Sequence, residues 1–164
     1  TFISGTGFDA TITALELQSD GKILVGGTFT TYNGTSANRI VRLNTDGSVD
    51  AGFVSGSGFN NGGVTVIKTN ALGEIMVGGS FTGTYNGIDV NRLVLLNPNG
   101  ILSPNFDIGT GPASATVFDL ALDSDVSWYI GGSFSVFDSQ NQGRLAKIDA
   151  FGIELGVKSI GISK

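Results

Sequence analysis

Three aspartates stand close together in Asp119-Leu120-Ala121-Leu122-Asp123-Ser124-Asp125. Paired carboxylates serve glycoside hydrolysis when they lie roughly 5 or roughly 9 Å apart. Asp119 and Asp123 share a strand face by their even spacing, but Asp123 and Asp125 fall in a turn, and a solvated turn is the preferred reading. A second stretch, Asn44-Thr45-Asp46-Gly47-Ser48-Val49-Asp50, has the oxygen-rich look of a calcium loop. Its counterparts, Asn97-Pro98-Asn99-Gly100 and Asp149-Ala150-Phe151-Gly152, keep the turn glycine and lose the acids, which predicts a hairpin turn without metal. The 164 residues include no Cys and no His, which removes thiol nucleophiles, zinc ligands, disulfides and Ser-His-Asp triads. No catalytic residue and no cofactor is expected, and the chain reads as a non-enzyme.

Composition narrows the partners. Nine Lys and Arg against fourteen Asp and Glu give a formal net charge of -5, too few cations for a phosphate-tracking surface, so no nucleic acid is expected. Every apolar stretch is cut by Gly, Asn, Asp or Ser well short of about 18 residues, and no membrane insertion is expected. With 40% hydrophobic and 14% charged residues the chain folds rather than remaining disordered. An acidic, Gly/Ser/Thr/Asn-rich chain without Cys suits an extracellular setting or a cell or virion surface. Its opening at Thr1 without Met suggests a processed secreted product or a part of something longer.

The elements that must position any site repeat along the chain. Gly26-Gly27-Thr28-Phe29-Thr30 returns as Gly78-Gly79-Ser80-Phe81-Thr82 and as Gly131-Gly132-Ser133-Phe134-Ser135, at spacings of 52 and 53 residues. Asn38-Arg39-Ile40-Val41-Arg42-Leu43 returns as Asn91-Arg92-Leu93-Val94-Leu95-Leu96 and more weakly as Gly143-Arg144-Leu145-Ala146-Lys147-Ile148. Within a copy, apolar residues alternate with a period of two, as in Ile12-Thr13-Ala14-Leu15-Glu16-Leu17, and Asp20-Gly21 and Asp46-Gly47 separate the runs as primed hairpin turns. The fold class is therefore all-β: three four-stranded antiparallel units of about 52 residues, blade-like, completed by a terminal strand or by other subunits. The expected boundaries are 1–52, 53–105 and 106–150, followed by a tail over 151–164.

The run of Asp-Gly-Lys-Ile, Val-Gly-Gly-Thr-Phe, Tyr-Asn-Gly, Asn-Arg-Ile-Val-Arg-Leu-Asn and Asp-Gly-Ser-Val-Asp with a closing Phe resembles the delta-60 β-propeller repeat of bacterial and phage surface proteins. The likeness covers residues 1 to about 150, strongly in the first two copies and partly in the third, where Asp125-Val126-Ser127-Trp128 and Phe137-Asp138-Ser139 depart from it. It implies a propeller-type fold and carries over no catalytic residue.

Propellers close with roughly four to eight blades, so three units leave faces and strand edges to be covered. The chain is expected to be a structural protein that self-assembles with identical subunits through sheet edges and terminal strands, as a fibre or surface array. The alternative is a binding module of an adhesin or phage tail protein that recognises a glycan or a protein. Ile153, Leu155, Val157, Ile160 and Ile162 alternate as one terminal strand, able to close its own first sheet or to join a neighbour's edge. Tyr32, Tyr85 and Trp128 are the aromatic candidates for contact with carbohydrate or partner. Phe29, Phe81 and Phe134 are expected in the core between blades, and Arg39, Arg92 and Arg144 are expected to bond carbonyls or a carboxylate of the neighbouring blade. Asn33-Gly34-Thr35 matches the acceptor pattern for an N-linked glycan at Asn33.

Overall fold

The computed structural model describes residues 1–155 apart from Ser114, Asp125 and Gln142. Val157, Ile160 and Ile162, and with them most of the expected terminal strand, lie outside the described residues, as does Asp125. The described chain is all-β and forms three three-stranded antiparallel sheets in succession. The first sheet joins β1 (Ile12–Leu17) and β2 (Ile23–Gly27) to β5 (Ile40–Leu43), with a small hairpin of β3 (Thr31–Tyr32) and β4 (Thr35–Ser36) between them. The second joins β6 (Val64–Thr69), β7 (Ile75–Tyr85) and β8 (Ile88–Leu96). The third joins β9 (Val117–Leu122), β10 (Trp128–Gly132) and β13 (Leu145–Ile148), with a hairpin of β11 (Val136–Phe137) and β12 (Gln140–Asn141). In the second sheet the hairpin is fused into the long β7 and β8, whose pairing resumes at Thr82↔Asn91 after an irregularity.

The expected fourth strand is present only as a single β-bridge per sheet: Leu43↔Val49, Leu96↔Leu102 and Ile148↔Glu154. The reason lies in the turns. At Asp46-Gly47 only the glycine has positive φ, at 89°, and Asn44 N–H donates to Ser48 O while Gly47 N–H donates back to Asn44 O. That is a three-residue loop closed by a left-handed glycine, and the returning chain leaves the sheet after one bridge because it turns again at once, Gly52 N–H donating to Asp50 Oδ1 and Phe53 N–H to Asp50 O. Asp20-Gly21 makes the same loop, not the two-residue primed turn that its dipeptide suggests. The primed turns are at Asn33-Gly34 (φ 48° and 74°), Asn86-Gly87 (51° and 80°) and Asp138-Ser139 (43° and 65°), where both central residues are left-handed.

The sheets stack face to face, with β1, β6 and β9 side by side. Side chains alternate across each sheet, so every sheet has a leading face, turned toward the preceding unit, and a trailing face, turned toward the next. Ala14, Leu24 and Ile40 on the trailing face of the first sheet share one core with Val64, Ile67 and Val77 on the leading face of the second. Val66, Met76 and Leu93 on the trailing face of the second share another with Val117, Leu120 and Ile130 of the third. Gly26 and Gly78 are the hollows of these two joints: a Cβ at Gly26 would overlap Val64 and Ile67, and one at Gly78 would overlap Val117 and Val66. Polar bonds bind the joints further. The Thr13 hydroxyl donates to Val64 O, Thr65 to Val117 O, and Glu16 Oε1 accepts from the Thr69 amide and hydroxyl at 3.0 and 2.8 Å.

An ion network reinforces the first joint. Asp50 accepts from Arg42 at 2.7 Å and from Lys22 at 3.0 Å, while Arg42 donates to Pro98 O in the next unit at 2.6 Å and stacks 5.0 Å above the Phe53 ring. Burial alone would raise the Asp50 carboxyl, but the Gly52 amide, Lys22 and Arg42 outweigh it and hold the carboxyl down from 3.8 to about 2. A carboxyl lower in the folded than in the unfolded chain contributes stability that is complete above about pH 4 and disappears as pH falls toward 2. The contribution of this group is about 2 kcal/mol from the size of its shift. Urea unfolding between pH 6 and pH 2 is expected to show that loss in the wild type and a smaller one in Asp50→Asn. Equal pH slopes would remove the network from the stability of the fold.

Candidate functional site

Each site residue expected from the sequence has a definite place. Phe29, Phe81 and Phe134 are fully buried. Each touches an aromatic of its own unit, Phe29 lying 4.5 Å from Phe8, Phe81 4.3 Å from Phe59 and Phe134 5.7 Å from Phe137, and Phe81 and Phe134 also belong to the cores shared between successive sheets. Arg39 donates from Nε to Gly62 O at 2.6 Å and from a terminal nitrogen to Phe59 O at 2.5 Å, both in the second unit. Arg92 reaches Pro112 O of the third at 3.4 Å. Both arginines, and Arg144, stand in left-handed backbone at φ 68°, 61° and 70°. A left-handed non-glycine residue costs about 1 kcal/mol or more, and its recurrence once per unit marks a geometry that the joint requires.

Tyr32, Tyr85 and Trp128 are corrections. All three are at most 1% exposed. Tyr32 Oη donates to Gly47 O at 2.7 Å and Tyr85 Oη to Gly100 O at 2.6 Å, so each tyrosine ties the small hairpin to the turn of its own unit and has no free ring face for a sugar. Burial also pushes the Tyr85 hydroxyl up, keeping it a donor at all ordinary pH. Phe137 takes the same position in the third unit without a hydroxyl. Asn33 is exposed at the hairpin tip, and its Oδ1 accepts from Gly7 N–H at 2.8 Å, as Asn86 Oδ1 does from Gly58 at 3.1 Å. The recurrence of this asparagine is thus explained by a turn that wants left-handed backbone and a local acceptor.

The acidic candidates are engaged locally. Asp46 Oδ1 caps Ser48, Asp123 pairs with Lys147 at 2.8 Å, and Asp119 Oδ1 accepts from Leu120 N–H at 2.9 Å. Hydrogen bonds from Ser48 hold the Asp46 carboxyl below its ordinary range, and the Lys147 ammonium with the Ser124 amide does the same for Asp123. Among the described residues no group of three or more acidic side chains converges on a metal-sized gap.

What remains open is the two ends of the stack. On the leading face of the first sheet Leu15 is 63% exposed, with Phe2, Ile12 and Leu17 also exposed. Phe2, Ile12 and Leu15, with Ile23 and Val25, frame an apolar hollow of about 260 Å³. On the trailing face of the third sheet Phe118, Tyr129 and Leu145 are exposed, and Leu145 stands where Ile40 and Leu93 are fully covered in the other two. Between them Gly131 has room: a Cβ there would meet nothing closer than Asp119 O at 3.8 Å. Ile153 and Leu155 are exposed as well. That faces stand open is expected from three units, but which residues line them escapes sequence reading, because Gly131 and Gly78 look alike in the chain and differ only in what faces them. A separate groove of about 570 Å³ runs beside β8, lined among others by Asp89, Asn91, Phe106 and Asp107.

No curated protein matches the chain. Residues 18–53 and 73–106, which contain β2 to β5, β7 and β8 and the turns around them, match the family described as a domain of unknown function (DUF5122) beta-propeller, and the all-β stack of sheets agrees with β-propeller repeats.

Proposed function

We propose that the chain is a non-enzymatic structural module, working outside the cell or on a cell or virion surface, whose task is to join β-sheet to β-sheet and so assemble with identical subunits. One observation carries this reading: the stack ends in two apolar faces of the kind that the chain covers at both of its internal joints. Exposed apolar patches of that sort mark association surfaces. On this reading the joint lies on sheet faces rather than on the sheet edges and terminal strands expected from the sequence. Light scattering from about 1 to about 100 μM is expected to show mass rising with concentration, as for any association under mass action. A monomer throughout would remove assembly as the function.

A second reading is a binding module for a glycan or protein, and the groove beside β8 favours it through its mix of carboxylate, amide and aromatic lining. The same titration separates the two, since a permanent monomer leaves the groove as the working surface.

A further inference from the structure

Resting on the assembly reading above, we infer that the partner is a second copy of this chain, seating the leading face of its first sheet on the trailing face of the third, so that two copies close a six-bladed ring. The template is internal. Each joint within the chain sets apolar side chains of a leading face against one glycine hollow: Val64 and Ile67 against Gly26, then Val117 against Gly78, where Val66 of the glycine's own sheet also closes in. Strand register makes Ile12 and Leu15 the equivalents of Val64 and Ile67, since Ile12 pairs with Gly27 as Val64 pairs with Gly79. It makes Gly131 the equivalent of Gly26 and Gly78, opposite Leu145 as they are opposite Ile40 and Leu93. The chain therefore exposes both halves of its own joint, knobs at one end and an empty hollow at the other.

The polar half of the joint is present too. Arg144 keeps the left-handed backbone of Arg39 and Arg92, and its exposed side chain makes no hydrogen bond to another described residue. Arg39 and Arg92 reach the carbonyls of Phe59 and Pro112, each of which bridges the aromatic of its small hairpin. Phe8 bridges Tyr32 in the same way, so its carbonyl in a second copy is the acceptor for Arg144. The copy number follows from closure: propellers hold roughly four to eight blades, and of the multiples of three only six falls within that range. The joint between copies is weaker than those inside, because Phe118 stands where Thr13 and Thr65 donate across the joint, and Gly143 where Asn38 and Asn91 do. The dimer is thus reversible on dilution.

Gly131→Val tests this, because its side chain fits the free chain and blocks the joint; Leu15→Glu blocks the opposite face. Sedimentation velocity on the 164-residue chain should give a wild-type dimer, and each variant should raise the dissociation midpoint at least ~10-fold, one decade of affinity being a modest loss for a blocked interface core. Circular dichroism of the dilute variants should match the wild type. Mixing the two variants leaves one joint intact and the other blocked from both sides, so the mixture should form a 1:1 dimer more tightly than either variant alone associates and more weakly than the wild type. A Gly131→Val chain that dimerises as tightly as the wild type, or a mixture that associates no more tightly than the separate variants, would overturn the face-to-face ring. Of these, oligomers that persist in Gly131→Val leave assembly standing by another surface, whereas a wild-type monomer at every concentration removes both.

Discussion

Gly78→Val is expected to destabilise the chain by about 3 kcal/mol or more, at the upper end of what overpacking a well-filled core costs. The backbone at Gly78 is not left-handed, so conformational strain is not the cause. The cause is space: even the first carbon of the new side chain overlaps Val117 of the third sheet and Val66 of its own. Both neighbours are β-branched and stiff at χ1, and both are held in strands, so neither rotates away. Relief requires the second and third sheets to part, which uncovers the core around Met76, Leu93 and Leu120. The matched control is Gly131→Val at monomeric concentration, where the same change meets only ordinary contact distances and is expected within about 0.5 kcal/mol of wild type. For a chain of this size the gap between the two variants is a difference in Tm of roughly 6 to 12 °C, read from thermal melts. Equal melts for the two would mean that the joints are not packed as described.

That contrast also shows where sequence reading stops. The period of the Gly-Gly-x-Phe motif, the alternation in β1 and β2 and the recurrence of Arg39, Arg92 and Arg144 are local or periodic signals, and each points to the sheet or joint in which it is found. Alternation fails for Tyr32 because its hairpin arm is two residues long in β3, and for Tyr85 because an irregularity between Gly78 and Thr82 breaks the period along β7. Asn-Gly and Asp-Gly carry the same turn signal, yet loop length decides which becomes the two-residue primed turn. Asp20-Gly21 is preceded by Gln18, whose N–H and C=O close a longer loop onto Lys22 and Gly21. The fate of a glycine such as Gly131 is set by a surface from elsewhere in space. That information is not in its neighbours along the chain.

Tyr85→Ala is expected to cost about 4 kcal/mol, the loss typical of deleting a fully buried aromatic ring. Tyr85→Phe should cost only about 1 kcal/mol, the net worth of one hydrogen bond. Two opposing effects set that smaller figure. Gly100 O loses its 2.6 Å donor, and a buried carbonyl without a partner is costly, but the ring keeps its contact with Phe59 at 4.7 Å. The third unit shows that a phenyl ring is tolerated at this position, since Phe137 occupies it fully buried. Urea unfolding of the two variants gives the ratio directly. A sugar-stacking tyrosine predicts the reverse pattern, with little loss of stability in either variant and loss of glycan capture in both. Because the Tyr85 ring is sealed between the hairpin and the turn that its hydroxyl holds, glycan capture by the Tyr85→Phe chain should equal that of the wild type whatever that level is. A drop in capture by a Tyr85→Phe chain that melts like the wild type would return Tyr85 to the surface and to recognition.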